Sequence, residues 1–188
     1  FDVMAAARKW FLLSSVLVVL LTVVTMMLLL KSPLVSIHRV IERDYKSVAH
    51  ISAAHFSQLN SNEVVIFDVR EPEEFLVSHI AGAIQVAPNI EPSAFIDEYG
   101  GLLKGKSVVF YCSVGRRSSK LANKLGDTLS QYGASSSQNL IGGIFSWVNQ
   151  GRELISSGQL VTTKVHPYNE FWGRLVDNKQ SVSYRKEL

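Results

Sequence analysis

Cys112 is the only cysteine in the 188-residue chain, and it opens the run Cys112-Ser113-Val114-Gly115-Arg116-Arg117-Ser118. The apolar stretch Ser107-Val108-Val109-Phe110-Tyr111 precedes it, and a helical pattern begins near Ser118. A thiol at the end of a buried strand, followed by a tight glycine- and arginine-containing loop that opens a helix, has the parts of an anion-binding nucleophile site. Cysteine attacks as the thiolate, a form favoured by nearby cations and helix N-termini. A helix N-terminus contributes only ~0.3–1 kcal/mol at an exposed site. Arg116, Arg117 and inward-facing loop amides must therefore supply most of the stabilisation. Gly115 gives the backbone access to conformations closed to other residues, so successive amides can converge on one point. Ser118 and Ser119 are good N-cap types for the helix that follows. The product is a cradle for a small oxyanion, formed by Ser113, Val114, Gly115, Arg116 and Arg117, with sulfur at its base. A lone cysteine is more often a small buried hydrophobe. Two adjacent arginines straight after a strand would be awkward in a core, however, and they favour the reactive reading.

The residues around this loop must be placed by a larger frame. Strand patterns run over Val64–Val69, Gly82–Val86, Ser107–Cys112 and Gln138–Ile141. Helical patterns lie around Ala53–Leu59, Glu73–His79, Pro92–Leu103, Ser118–Gln131 and Ile144–Asn149. Alternation of this kind predicts an α/β fold, a central mainly parallel sheet with helices on both faces. Asp68 ends the run Val64-Val65-Ile66-Phe67, and a carboxylate at a strand's C-terminal end faces the same rim as the loop after Cys112. Two readings stand for it. It pairs with a loop arginine and orients the loop, or it is a turn aspartate before the helix that Pro72 and Glu73 begin. Arg70 belongs to the same polar cluster. Glu73 and Glu74 read as first-turn helix charges.

A free histidine titrates near neutrality, so His79 is read as a candidate general base. His38, His50, His55 and His166 show no metal-ligand spacing with a second cysteine or a carboxylate cluster, so no metal is expected, and no cofactor either. A net charge of +3 with no long basic run does not indicate nucleic-acid binding.

From about Val48 to Leu154 the chain resembles a single rhodanese domain, a sulfurtransferase fold. Four motifs in the family's order carry the resemblance: Ile66-Phe67-Asp68-Val69-Arg70-Glu71-Pro72-Glu73-Glu74-Phe75, then Ser78-His79-Ile80-Ala81-Gly82-Ala83, then the Cys112 loop, then Asn139-Leu140-Ile141-Gly142-Gly143-Ile144-Phe145-Ser146-Trp147. Rhodaneses carry a six-residue active loop of Cys-x-x-Gly-x-Arg form, and Cys112 to Arg117 matches it in length, glycine and closing arginine. The resemblance implies sulfane-sulfur transfer through a Cys112 persulfide, from thiosulfate or a small-molecule or protein persulfide to a thiol acceptor. It implies a structural place for His79. Related cell-cycle phosphatases use a loop one residue longer, which would need arginine where this chain has Ser118. A phosphatase or arsenate-type enzyme is thus the alternative on the same fold, and a non-enzymatic module that recruits a membrane partner is another.

The second strong signal is Trp10 to Leu30, a run without charge. About 20 such residues cross a ~30 Å hydrocarbon core as a helix, and Trp10 suits the interface. A cleavable signal has a shorter apolar region, ~7–15 residues, and a small-residue cleavage site, which this run lacks. The expected organisation is an N-terminal flank (1–9), a transmembrane helix (10–30), a juxtamembrane linker (31–46), a rhodanese domain (47–157) and a tail (158–188). Lys31, Arg39, Arg43 and Lys46 after the span outnumber Arg8 and Lys9 before it. That places the domain on the cytosolic side of a single-pass protein, although a short basic start before an apolar run also suits an exporting signal anchor. The tail holds His166-Pro167-Tyr168-Asn169-Glu170-Phe171-Trp172. Its aromatic density predicts packing on the domain, with a protein partner or the membrane as the other candidates.

Overall fold

The structure, a computed structural model, describes residues 10, 13–22 and 33–185. It divides into two compact units, Phe1–Pro33 and Leu34–Leu188. In the first, residues 13–22 are helical. The rest of the expected span over 10–30, Trp10 apart, lies outside the described residues. Among the described residues no helix is long and apolar enough to cross a membrane, so the transmembrane segment is not established.

The second unit is built on five parallel strands in the order β1-β5-β4-β2-β3. They are β1 (Ala49–Ile51), β2 (Val64–Asp68), β3 (Ala83–Gln85), β4 (Ser107–Tyr111) and β5 (Ser136–Leu140). All-parallel sheets need both faces covered. β4 meets that need by alternation: Val109 and Tyr111 join the core on one face, Val108 and Phe110 the core on the other. On the first face lie α2 (Ala53–Phe56) and α6 (Gly143–Asn149), through Phe56, Ile144 and Phe145. On the second lie α4 (Pro92–Tyr99) and α5 (Arg116–Gln131). Helix α5 turns Leu121, Ala122, Leu125 and Leu129 inward, the three- and four-residue spacing of a single buried stripe.

The α/β class is as expected, and five elements in three regions are additions. The stretch read as a linker contains α1 (Pro33–Asp44), whose Leu34 joins the core beside α6 and whose Ile41 is fully buried. Its two buried positions, seven residues apart, are two turns of one face, a signal weak enough to pass for a connector. Strand β1 is only three residues long and precedes α2 directly. The region after α6 forms a two-stranded ladder, β6 (Leu154–Ile155) with β7 (Val161–Thr162), and a short helix α7 (Glu170–Gly173). Helix α3 (Pro72–Val77) follows β2, with Pro72 at its first turn and a capping box between Glu71 and Glu74.

Candidate active site

Cys112 sits one residue past β4, and its side chain belongs to the core shared with α4 and α5. The loop that follows turns at Gly115, whose φ of +99° lies in the left-handed region that favours glycine. A side chain there would meet the Asn139 Nδ2 atom of β5 at 3.0 Å. Asn139 is held in turn, its Oδ1 accepting from Ser118 Oγ at 2.6 Å. The turn brings the Gly115 amide back to the thiol, where it donates to Cys112 Sγ at 3.2 Å. The free amides of the first turn of α5 begin at the next residue.

The outer side of the loop is fixed by Gly142 and Gly143. Ile144 N donates to Cys112 O at 2.9 Å, and Phe145 N donates to Ser113 O at 3.1 Å. The start of α6 thereby holds the loop's first two carbonyls. This approach requires the second glycine, because a Cβ on Gly143 would lie 2.2 Å from Cys112 O.

The two arginines part company. Arg116 is exposed, and its Nη1 lies 3.3 Å from Asp44 Oδ2 at the end of α1. Arg117 turns back under the loop. Its Nη1 and Nη2 donate to Glu74 Oε2 and Oε1 at 2.7 and 2.9 Å, and Nη2 reaches Ser113 Oγ at 3.0 Å. Ser113 Oγ itself donates to Glu74 Oε1 at 2.9 Å. Burial works against both charges and is outweighed. Arg117's hydrogen bonds and attraction hold the Glu74 carboxyl below its usual range. Glu74, with Cys112 beside it, raises the Arg117 guanidinium. The carboxylate that holds the loop is therefore Glu74, which sits in the first turn of α3 as its sequence position suggests and is buried to 2 % exposure.

Asp68 and Arg70 do not reach the loop arginines. They pair with each other, Arg70 Nη2 donating to Asp68 Oδ2 at 2.6 Å, both fully buried. Arg70 Nη2 also donates to Ser78 O at 2.6 Å, tying the end of β2 to the segment before β3. Burial opposes the Arg70 charge, but Asp68 holds its pKa above the usual value. Of the two readings open for Asp68, pairing with a loop arginine is not what is seen: the carboxylate at the end of β2 pairs instead with Arg70, two residues further on. His79 stacks on Phe75 at 3.9 Å with Nδ1 3.2 Å from Phe75 O. Burial lowers its pKa. Its backbone pairs with Ile155 in both directions at 2.9 Å, a structural position.

Above the thiol opens a cavity of about 190 Å³ lined by Cys112, Val114, Arg116 and Arg117 and, from the tail, by Tyr168 and Trp172. Cys112 is 1 % exposed and is one of the residues that line the cavity. A cysteine that lines a cavity together with two arginines, its sulfur receiving a backbone N–H, has the parts to attack an electrophilic sulfur and hold the anion formed. Tail residues at the mouth were not singled out in the sequence. Their aromatic density announced packing but not its place. Among the described residues no cluster of three metal-ligating side chains occurs.

Comparison with known proteins gives a consistent picture. Residues 52–150 match the family described as Rhodanese-like domain. The thiosulfate:glutathione sulfurtransferase of Saccharomyces cerevisiae is 30 % identical over 125 residues, 58 % of this chain and 87 % of that protein. Among solved structures, the BH2092 protein of Bacillus halodurans aligns at 24 % identity over 69 % of this chain and 91 % of its own, with a TM-score of 0.50. Thiosulfate sulfurtransferase from Pseudomonas aeruginosa aligns at 17 % identity over 77 % of this chain and 26 % of its own, with a TM-score of 0.51. At those identities the two structures speak to the fold alone.

Proposed function

The chain belongs to the Rhodanese-like domain family, and on that premise we propose that it is a sulfurtransferase working through a persulfide on Cys112. The observation that carries the reading is the setting of Cys112: it lines a cavity together with Arg116 and Arg117, and Gly115 N donates to its sulfur at 3.2 Å. The Cys112 thiolate attacks the outer sulfur of thiosulfate. The donor S–S bond breaks, sulfite leaves with the electron pair, and the new Cys112 S–S bond leaves a persulfide anion facing the loop amides. A thiolate acceptor then takes the outer sulfur and returns Cys112 to its thiolate. No external oxidant or reductant enters either step, and one cysteine suffices. The six-residue loop, closing at Arg117 with Ser118 following, favours sulfur over a phosphate ester.

The test is turnover. Full-length protein should convert thiosulfate and cyanide to thiocyanate, or thiosulfate and a thiol to a persulfide, with Cys112→Ala inactive in both. Hydrolysis of an aryl phosphate with no sulfur transfer would replace this reading with the phosphatase one. Inertness in all assays would leave the recruiting module.

The same proposal keeps residues 10–30 as a membrane anchor with the domain on the cytosolic side. Its support is the uncharged apolar run and the excess of Lys and Arg after it. The full chain should stay with membranes through alkaline carbonate extraction, while a chain beginning at Leu34 should not. Release of the full chain would remove the anchor from the account.

A further inference from the structure

The sheet brings a histidine to the back of the active loop. His50 of β1 and Asn139 of β5 are register partners, so their side chains stand side by side on one face of the sheet. Strand alternation puts that face opposite Ile51 and Leu140, which join the core on the α6 side, and so toward the start of α5. The Asn139 amide is committed at both ends. Its Oδ1 accepts from Ser118 Oγ at 2.6 Å, so its Nδ2 is the end that faces His50 Nδ1, at 3.3 Å. The same side chain backs the turn at Gly115, where a Cβ would lie 3.0 Å from Asn139 Nδ2 and 3.7 Å from Oδ1. Gly115 in turn carries the N–H that reaches the Cys112 sulfur. Asn139 is fully buried, and a buried amide left without a partner is costly.

A second histidine makes the state of the first specific. An amide N–H is accepted only by a bare ring nitrogen, so His50 bonds Asn139 as a neutral ring with its proton on Nε2. His38 of α1 packs edge to face against it, ring centroids 4.8 Å apart, with its own Nε2 3.3 Å from Glu42 Oε1. When that nitrogen donates to the carboxylate, the neutral His38 ring has a bare Nδ1. The two remaining nitrogens, His50 Nε2 and His38 Nδ1, are buried without a hydrogen-bond partner among the described residues. They are one N–H and one lone pair on adjacent rings. A further proton on either ring adds a buried donor with no acceptor, and on His50 it sets Nδ1–H against the Asn139 amide, donor against donor. The titratable groups that bear on His50 are His38 and Glu42, both from α1, while β5 presents the uncharged Asn139. Burial first and then His38 lower the His50 pKa, and Glu42 acts to raise it. The ring is neutral at pH 7 and takes its proton below the ordinary value of 6.5.

We propose that His50 is a positioning residue for the active loop: its neutral ring accepts the Asn139 amide and thereby fixes the turn that presents the Gly115 N–H to the Cys112 thiolate, and a proton on His50 releases that turn. On protonation the amide turns over, Oδ1 to His50 and NH2 to Ser118 Oγ. The wall behind Gly115 is remade and the N–H to sulfur bond weakens. His50 makes no bond to substrate and passes no proton to Cys112. The consequence is an acid limit on the reactivity of Cys112, set by a residue that does not line the cavity. This inference rests on the sulfurtransferase reading for what the loop does, but it can be tested without sulfur transfer.

Cys112 is the only cysteine, so its alkylation by iodoacetamide, followed by the intact mass of the full chain, reports the loop directly. The rate constants of wild type and His50→Asn are compared from about pH 8 to about pH 5. Asparagine keeps an acceptor near the Nδ1 position and does not titrate. The ratio of wild type to variant cancels the titration of the thiol itself. It should be near one at the alkaline end and fall roughly two- to tenfold in acid, the worth of one buried hydrogen bond. A ratio flat with pH overturns the proposal. So does one that rises in acid, which an imidazolium acting on the thiolate by charge alone would give. A second measurement needs no variant: the nitrogen-15 shifts of the His50 ring at about pH 8 should show its proton on Nε2, and a proton on Nδ1 overturns the proposal whatever the alkylation rates. If both expectations are met and wild type takes up no sulfur from thiosulfate, only the sulfurtransferase reading fails. If wild type transfers sulfur and the ratio is flat, only the positioning role fails.

Discussion

Replacing Glu74 by Gln removes the charge under the active loop while keeping its size. Oε1 of Glu74 accepts from Arg117 Nη2 and Ser113 Oγ, and Oε2 accepts from Arg117 Nη1 and Glu71 N. A glutamine has one oxygen. Its NH2 is best placed at the Oε1 position, where Ser113 Oγ can accept from it, but there it faces Arg117 Nη2, donor against donor. One charge-assisted bond is lost, about 1.5–3 kcal/mol, and Arg117 keeps an uncompensated charge. That guanidinium is 26 % exposed while Glu74 is 2 % exposed, so its penalty falls below that of a fully buried pair. A net loss of about 2 kcal/mol corresponds, for a unit of this size, to a Tm lower by about 4–8 °C. The pH dependence identifies the cause. The folded pKa of Glu74 is depressed, so its contribution is present above the unfolded value near 4.5 and is lost as pH falls through the folded one. Thermal unfolding of Glu74→Gln and wild type should differ at pH 7 and converge toward acid, and sulfur loading of Cys112 should be slower in the variant. Equal Tm values at pH 7, or a gap that persists undiminished in acid, would refute the loop-orienting role.

Gly143→Ala puts a Cβ 2.2 Å from Cys112 O and 2.8 Å from Ser113 O at φ +57°. Strain of ~1–2 kcal/mol and crowding of ~1–3 kcal/mol should appear as a lower urea midpoint and poor sulfur loading. Arg70→Met leaves Asp68 buried without a counter-charge and should cost about 3–5 kcal/mol in urea unfolding. The pKa values of His50, His79 and His166 are all lowered, first of all by burial. The unfolded chain therefore takes up protons that the native state does not. This contribution to stability is full above about pH 6.5 and declines below it, which Tm values measured from neutral to mildly acid pH should show.

The loop was legible because its information is local: strand, cysteine, glycine and arginines are contiguous, and Gly115 adopts the left-handed φ its position suggested. The unbroken apolar run Val108 to Tyr111 likewise suits a strand covered on both faces, as β4 is. The orienting carboxylate was hidden because Glu74 and Arg117 lie 43 residues apart on different helices. Glu74 carries the marks of a first-turn capping residue, which it also is. Its double role follows from where α3 packs, and helix-start chemistry does not report that. Asp68 illustrates the converse, a well-placed carboxylate whose partner was already supplied by Arg70. The tail's aromatics were visible as a group, but their seat above Cys112 depends on anchors such as Val165, Val176 and Asn149, which no local pattern marks.

The most direct measurement is the intact mass of the protein after incubation with thiosulfate. Wild type should gain one sulfur atom that a thiol reductant removes, and Cys112→Ala should gain none. Wild type that gains no sulfur from thiosulfate or a persulfide, or a Cys112→Ala variant that gains it equally, would contradict persulfide chemistry at this loop.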